Sequence, residues 1–400
     1  MNKIQTATYY LGLLLCLMSG LLLEACSSDS TSDSRPDNSS SERTVRLSAG
    51  ARQYHVDEAE MASALGLTRT VYPGTDWTTI TPSDNMLVFV AKDKENPSPS
   101  DVLSRLFYSM TTDWQSNITI TDAGSDNNYL IYGFMPIDAE NVSISLLSTN
   151  TNYKAGATMS IKGLKVLTQT DPCVIVGVGK QETSTPDVTL KWGAFDFTFK
   201  EGTSDVIDYM SILLDHIYSC YHFKVKIDAD YAQLRTIRIT KMTLEALNND
   251  GQTLGSVNAT VNIQANTTNS NPLSSVTFGR NVGARMVTLF DKKTTTNTSY
   301  TNGIVLDKNT SDFQEAGFCL APGDQRIFRL TTEYEVYDRD NKLIRTNTAT
   351  NTFNTANFKD KKITNTAPGL EHTIQIIVNP TYFYVLSDSD LDNPPFDINN

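Results

Sequence analysis

Short apolar runs, interrupted at brief intervals by turn-forming clusters, constrain this chain more than any other feature. Val45 and Leu47 share one face of a strand expected from Thr44 to Ala49, because side chains in a strand alternate between two faces. MLVFVA from Met86 and CVIVGV from Cys173 are continuous apolar runs, the pattern of strands buried on both faces. VTLKWGAFDFTFK, from Val188 to Lys200, puts Val188, Leu190 and Trp192 on one face and then Phe195, Phe197 and Phe199. The phase changes at Gly193, which predicts a β-bulge there. Thr332 to Tyr337 turns through Asp338-Arg339-Asp340-Asn341 into Leu343-Ile344-Arg345, a hairpin. Many short antiparallel strands with turn signals predict an all-β chain of β-sandwiches. One or two short helices are expected within it. Val56 to Leu67 reads as a brief helix, and Ser100 caps a second bearing Val102, Leu103, Leu106 and Phe107. The clearest helical pattern is Ser204 to Tyr221, where Val206, Ile207, Met210, Leu213, Leu214, Ile217 and Tyr221 recur at i, i+3, i+4 spacing.

The first residues belong to export and not to the fold. MNKIQTATYY precedes an apolar run from Leu11 to Leu23, shorter than the roughly 20 residues that span a bilayer. That layout is a secretory signal. Leu23-Glu24-Ala25-Cys26 resembles a bacterial lipoprotein lipobox, which implies that Cys26 carries lipid and becomes the new N-terminus. Two acyl chains would anchor the precursor stably, at about 0.8 kcal/mol per buried CH₂. SSDSTSDSRPDNSSSE, from Ser27 to Glu42, has no aliphatic or aromatic residue and reads as a disordered tether.

Five segments result: a signal at 1–25, a tether at 26–43, a first β-sandwich domain at 44–275, a second at 276–380, and a C-terminal segment at 381–400. The boundary near 275 rests on the polar stretch NTTNSNPLSS from Asn266 to Ser275.

The 33 basic against 45 acidic residues give a net charge of -12 and no basic tract. Nucleic-acid binding, which needs phosphates neutralised by Lys and Arg, is not expected. Of five cysteines, Cys16 leaves with the signal and Cys26 takes lipid. Cys173, Cys220 and Cys319 remain in isolated apolar settings, which predicts buried free thiols and no disulfide framework. His216 and His222 are off the helical spacing of a zinc pair, and no metal or cofactor is expected. Asp388, Asp390 and Asp392 imitate the start of a calcium loop. Asn393 and Asn399 replace its turn glycine and its closing glutamate, so a solvated acidic turn is the expectation and calcium the alternative. No nucleophile elbow, P-loop or H-E-x-x-H occurs, so no catalysis is expected. Trp77, Trp114 and Trp192 are expected in the core; the alternative is a sugar-stacking face on a lipid-anchored surface glycan-binding protein.

Taken together, the lipobox and tether, TVRLSAG, VTLKWGAFDFTFK leading to FKVKID and LRTIRITKMTLEA, and the ending YEVYDRDNKLIR and GLEHTIQIIVNPTYFYVLSDSDLDNPPFDI resemble the fimbrillin family of Bacteroidetes lipoproteins. The resemblance implies two tandem transthyretin-like β-sandwiches and a structural role in a pilus outside the cell. It implies a lipid-anchored precursor at the outer membrane, then assembly into a cell-surface fimbrium that supports adhesion to host or bacterial targets. The removable first strand would be the one bearing Val45 and Leu47. A trypsin-like protease would cut after Arg52 or Arg69, both expected in loops. The groove would be refilled by a neighbouring subunit's terminal strand, with Tyr382, Tyr384 and Leu386 as the donor row. The partners implied are other pilus subunits. Removing a strand leaves backbone donors, acceptors and apolar side chains uncovered at the new edge, and an added strand satisfies them again.

Overall fold

Ser41–Arg52 forms a strand because Arg43, Val45, Leu47, Ala49 and Ala51, at every second position, all face the interior and are buried. The strand therefore runs on through Gly50, Ala51 and Arg52, where the sequence predicts a break. The computed structural model describes residues 41–387 apart from 57–76, 81, 93–101, 111–112, 121–127, 138–140, 150–151, 182–191, 201–206, 266–271, 310–313, 324–326, 359–362, 364–365 and 380–381. The signal, the lipobox with Cys26, the tether to residue 40, Arg69, residues 57–67 of the helix expected from Val56 to Leu67 and the Asp388 to Asp392 turn lie outside the described residues, whereas Ser41 to Arg43, expected in the tether, and Val56 are in strands.

The described residues are nearly all strand. In chain order they are β1 (Ser41–Arg52), β2 (His55–Val56), β3 (Trp77–Ile80), β4 (Met86–Lys92), β5 (Val102–Ser109), β6 (Trp114–Ile120), β7 (Asn128–Met135) and β8 (Asn141–Thr149). Next come β9 (Asn152–Lys165), β10 (Leu167–Thr168), β11 (Cys173–Gln181), β12 (Asp196–Thr198), β13 (Ile207–His216), β14 (Ser219–Ile227), the single-turn helix α1 (Ala229–Ala232), β15 (Thr236–Leu247) and β16 (Leu254–Gln264). Then follow β17 (Leu273–Val282), β18 (Val287–Asp291), β19 (Ile304–Leu306), β20 (Gln314–Leu320), β21 (Ile327–Tyr337), β22 (Leu343–Asn354), β23 (Leu370–Asn379) and β24 (Tyr382–Ser387).

Two expected helices are strands. Of Ser204 to Tyr221, the described residues 207–221 are β13 followed by the start of β14, and of the segment from Ser100 the described residues 102–109 are β5. β13 lies between β11 and β1, and from Met210 to His216 every residue is buried. A strand covered on both faces loses its alternation, and its continuous apolar run then satisfies a helical spacing equally well. The one described α-helix, Ala229–Ala232, is instead set by Asp228, whose side chain accepts from the Tyr231 amide. At Gly193 the chain makes a turn with φ of 79° and not a bulge. A positive φ there is one that glycine adopts without a Cβ penalty. Phe195, Phe197 and Phe199 are all buried, as expected, while Val188 and Leu190, on the other side of the expected phase change, lie outside the described residues.

β11, β13, β1, β6, β5, β4 and β7 pair in that order, and β7 returns to β11. A ring of seven strands is thereby closed, and a closed ring has no free edge. β8, β9, β16 and β17 make a four-stranded sheet. β14, β20, β23, β10, β2 and β24 make another, and β15, β18, β19, β21 and β22 a third. The last two meet through aromatic rings: Tyr221 and Phe318, stacked on each other in one sheet, face Phe328 of the other at 6.3 and 6.1 Å. Residue 275, where the sequence places a boundary, falls inside β17, and β14 and β15 from before it pair with β20, β21 and β23 from after it. The described hairpin β21–β22 is the expected one, with Asn341 in the left-handed region at φ of 59°.

Candidate functional site

β1 is the strand on which a mechanical role would turn, and its sequence explains its seat. It runs parallel to β13 and antiparallel to β6. Leu47 lies opposite Met210 on one side and Trp114 on the other, and Val45 and Leu47 are both 0% exposed. Burying each contributes about 1.5–3 kcal/mol. Two of its arginines face buried carboxylates. Arg43 Nη1 donates to Asp208 at 3.2 Å, and Arg52 Nε donates to Asp215 at 3.0 Å. Asp208 also accepts from the Lys200 amide at 2.8 Å. Arg46 lies 3.8 Å from Asp113 and is partly exposed, so that pair adds little.

Arg52 differs from its expected place. It ends β1 instead of sitting in a loop, it is 3% exposed, and its guanidinium lies 4.2 Å over the Trp192 ring. Trp114 is 0% exposed, with its indole N–H donating to the Asp84 carbonyl, so it is core, as expected. A buried Trp114 and a half-buried Trp192 beneath Arg52 offer no stacking face for a sugar. At the other end of the chain, β24 pairs antiparallel with β23, with Tyr382 opposite Asn379, Tyr384 opposite Ile377 and Leu386 opposite Gln375.

A polar cluster lies where β1 ends. His216, the last residue of β13, donates or accepts at both ring nitrogens: Nε2 meets the Arg52 carbonyl, and Nδ1 lies 2.5 Å from Asp171 Oδ2. A backbone carbonyl only accepts, so Nε2 carries the proton there. Cys173 Sγ lies 3.5 Å from the same Nδ1 and 3.4 Å from Asp171 Oδ2. Tyr54 stacks on the imidazole at 3.8 Å. The group lines a cavity of about 500 Å³ that also takes in Arg52, Ser83 and Glu371. Burial pulls the His216 pKa down, but the Asp171 carboxylate, Asp215 and the Arg52 carbonyl together outweigh it and the net shift is upward. Burial, then Asp171, pushes the Cys173 thiol well up. Burial also raises Asp215, against the opposing pull of Arg52 and His216. Nothing local in the sequence announces this cluster: Asp171 and Cys173 flank a proline at the start of β11, while His216 comes from β13.

The three described cysteines are free, as expected, although Cys220 is only half-buried. Cys220 lies directly opposite Cys319 across β14 and β20. A hydrogen bond from the Cys319 thiol, joined by His222, outweighs burial and brings Cys220 to about 6. Cys319 in turn is held high, by its bond to Cys220 and by burial. The thiolate is the nucleophile, so alkylation of native protein by iodoacetamide is expected at Cys220 first. Its rate should rise through about pH 6, not through the free-cysteine value of about 8.5. Peptide mapping after pulses at graded pH checks this; a rise that waits for pH 8 or above overturns it. The sign for stability follows: a depressed folded pKa stabilises above the unfolded value, and that contribution is lost as pH falls through the folded value.

No family model matches the sequence, and no curated protein matches it. Solved structures do resemble it. The chain is similar to a fimbrial protein from Bacteroides vulgatus, at 13% identity over 86% of this chain and 98% of that one, with a TM-score of 0.41. It is similar to a fimbrial assembly protein from Parabacteroides distasonis, at 11% identity over 87% and 99%, TM-score 0.31. The fimbrial anchor protein Mfa2 from Porphyromonas gingivalis is also similar, at 9% identity over 86% and 95%, TM-score 0.27. The solved structures it resembles include these fimbrial proteins and putative cell adhesion proteins from Bacteroides, all at low identity.

Proposed function

We propose that this chain is a structural subunit of a cell-surface pilus, exported as a lipoprotein on Cys26, matured by a trypsin-like protease and polymerised by strand exchange. The observation that carries the reading is the seat of β1. An N-terminal strand fills a place between β13 and β6, with Val45 and Leu47 buried. Its withdrawal would expose the ladder edges of both neighbours together with an apolar groove, which is the situation a borrowed strand relieves. β24 pairs with β23 of its own chain, so donation to a neighbour requires it to leave that seat; the donor row of Tyr382, Tyr384 and Leu386 comes from the family resemblance. The family resemblance supplies the tandem transthyretin-like arrangement, the outer-membrane precursor, other subunits as partners and the adhesive, non-catalytic role.

Of the two arginines proposed for maturation, Arg52 is buried and ion-paired. The favoured cut is therefore after Arg69. Limited trypsin treatment of the full-length precursor is expected to cleave after Arg69, release the segment carrying β1 and yield a ladder of oligomers on a mild denaturing gel. A chain ending at Asn379 should be cleaved and form no ladder. Complete cleavage that leaves a monomer would overturn strand exchange. The glycan-binding alternative loses support from Trp114, which is core.

A further inference from the structure

We propose that Asp171, Cys173 and His216 form a zinc site with three protein ligands, its fourth position open to water in the adjoining cavity. Three donor atoms of different elements converge here, a carboxylate oxygen, a thiol sulfur and an imidazole nitrogen, all within 4.8 Å of one another. They come from the loop before β11, the first residue of β11 and the last residue of β13. Convergence of this kind is uncommon for residues that merely fill a core.

The hydrogen bonds at His216 sharpen the argument. With the Nε2 proton directed at the Arg52 carbonyl, a neutral ring presents a lone pair at Nδ1. That lone pair faces Asp171 Oδ2 at 2.5 Å. Two acceptors so placed need a cation between them, a proton or a metal. The bond from the far ring nitrogen to a carbonyl is also the support that metal-binding histidines ordinarily have, since it sets the tautomer and the ring orientation. The other carboxylate oxygen, Asp171 Oδ1, is buried with no hydrogen-bond partner among the described residues.

The spacing fits a tetrahedral ion. Bonds of about 2.3 Å to sulfur and about 2.0–2.1 Å to nitrogen and oxygen separate ligand atoms by about 3.3–3.6 Å. Sulfur to nitrogen is 3.5 Å and sulfur to oxygen 3.4 Å. Only the oxygen-to-nitrogen edge is short, and Oδ2 would withdraw by roughly 0.8 Å to reach the tetrahedral value. The Asp171 side chain is 29% exposed, so it has room to do so. The donor set chooses among metals: a thiolate disfavours magnesium and calcium, and sulfur with imidazole suits zinc. Bound there, zinc would tie the ends of β11 and β13 together beside the end of β1. The inference stands on these residues alone and does not depend on the pilus reading.

The test uses the full-length chain and two metals. Titration with Zn2+ is followed by calorimetry, and titration with Co2+ by electronic absorption, where a thiolate ligand gives a near-ultraviolet charge-transfer band. One Co2+ per chain, with that band, bleached by added Zn2+, is the expected result. Cys173→Ser should abolish the band. Asp171→Asn, at a partly exposed position that folding tolerates, should weaken Zn2+ binding by at least the ~10–100-fold that loss of a supporting hydrogen bond costs. The double variant Cys220→Ser, Cys319→Ser should keep both signals, which separates this site from the neighbouring thiol pair. Absence of the band in the native chain overturns the proposal. So does a band that survives Cys173→Ser or disappears in the double variant, or Zn2+ affinity unchanged in Asp171→Asn.

Discussion

Leu47→Asp is expected to leave the seven-stranded ring unfolded. Leu47 is 0% exposed, opposite Met210 on β13 and Trp114 on β6, so the new carboxylate would sit among apolar groups with no cation in register beside it. The effective penalty for an unpaired buried charge is several kcal/mol, comparable with the whole stability of an ordinary domain at about 5–15 kcal/mol. Graded substitutions keep the result interpretable. Leu47→Ala should cost about 2–5 kcal/mol, because apolar atoms are removed from the core and a cavity stays behind. Leu47→Met, which nearly conserves volume, should cost less than about 1.5 kcal/mol. Denaturant midpoints measure all three. A Leu47→Asp chain with the native midpoint would mean that β1 does not occupy the ring in solution, and the strand-exchange reading would go with it.

The second large effect is at the buried pair Arg43–Asp208, where both side chains are 1% exposed. Asp208→Ala should cost about 3–5 kcal/mol, because the Arg43 guanidinium stays buried without its carboxylate. The Lys200 amide would also lose its acceptor. Replacing both partners, as Arg43→Met with Asp208→Leu, should cost much less than the single change, since a well-filled apolar pair is often as stable as a buried ion pair. A thermodynamic cycle over the two positions reads the coupling directly. A double-change cost equal to the sum of the Arg43→Met and Asp208→Leu costs measured singly would show that the pair is not coupled. Under the proposed strand exchange, the pairs Arg43–Asp208 and Arg52–Asp215 would hold β1 while the chain is intact, and a cut beyond it would remove the tether that restores it.

The alternation of Val45 and Leu47 is legible because one face of β1 carries most of its apolar residues, and a period of two survives one-sided burial. The free state of Cys173 and Cys319 was legible for a similar reason: each sits in an apolar run, CVIVGV from Cys173 and GFCLAP around Cys319. Phe195, Phe197 and Phe199 keep one buried face because alternate residues of an extended segment point the same way. These are local facts, decided within a few residues of chain.

What the tertiary structure alone decided is the state of 204–221 and the meeting of Asp171, Cys173 and His216. The apolar positions in β13 satisfy helix and strand spacing alike, and only the presence of β11 on one side and β1 on the other selects the strand. Parallel pairing of β1 with β13 joins Thr44 to Ile207 and leaves no trace in either segment, because it depends on everything folded between them. Arg52 reads as a loop residue until Asp215 and Trp192 are brought to it. Sequence thus determined the strands buried on one face and which of their faces are dry; chain closure, a long-range event, determined the state of the fully buried run and who stands opposite whom.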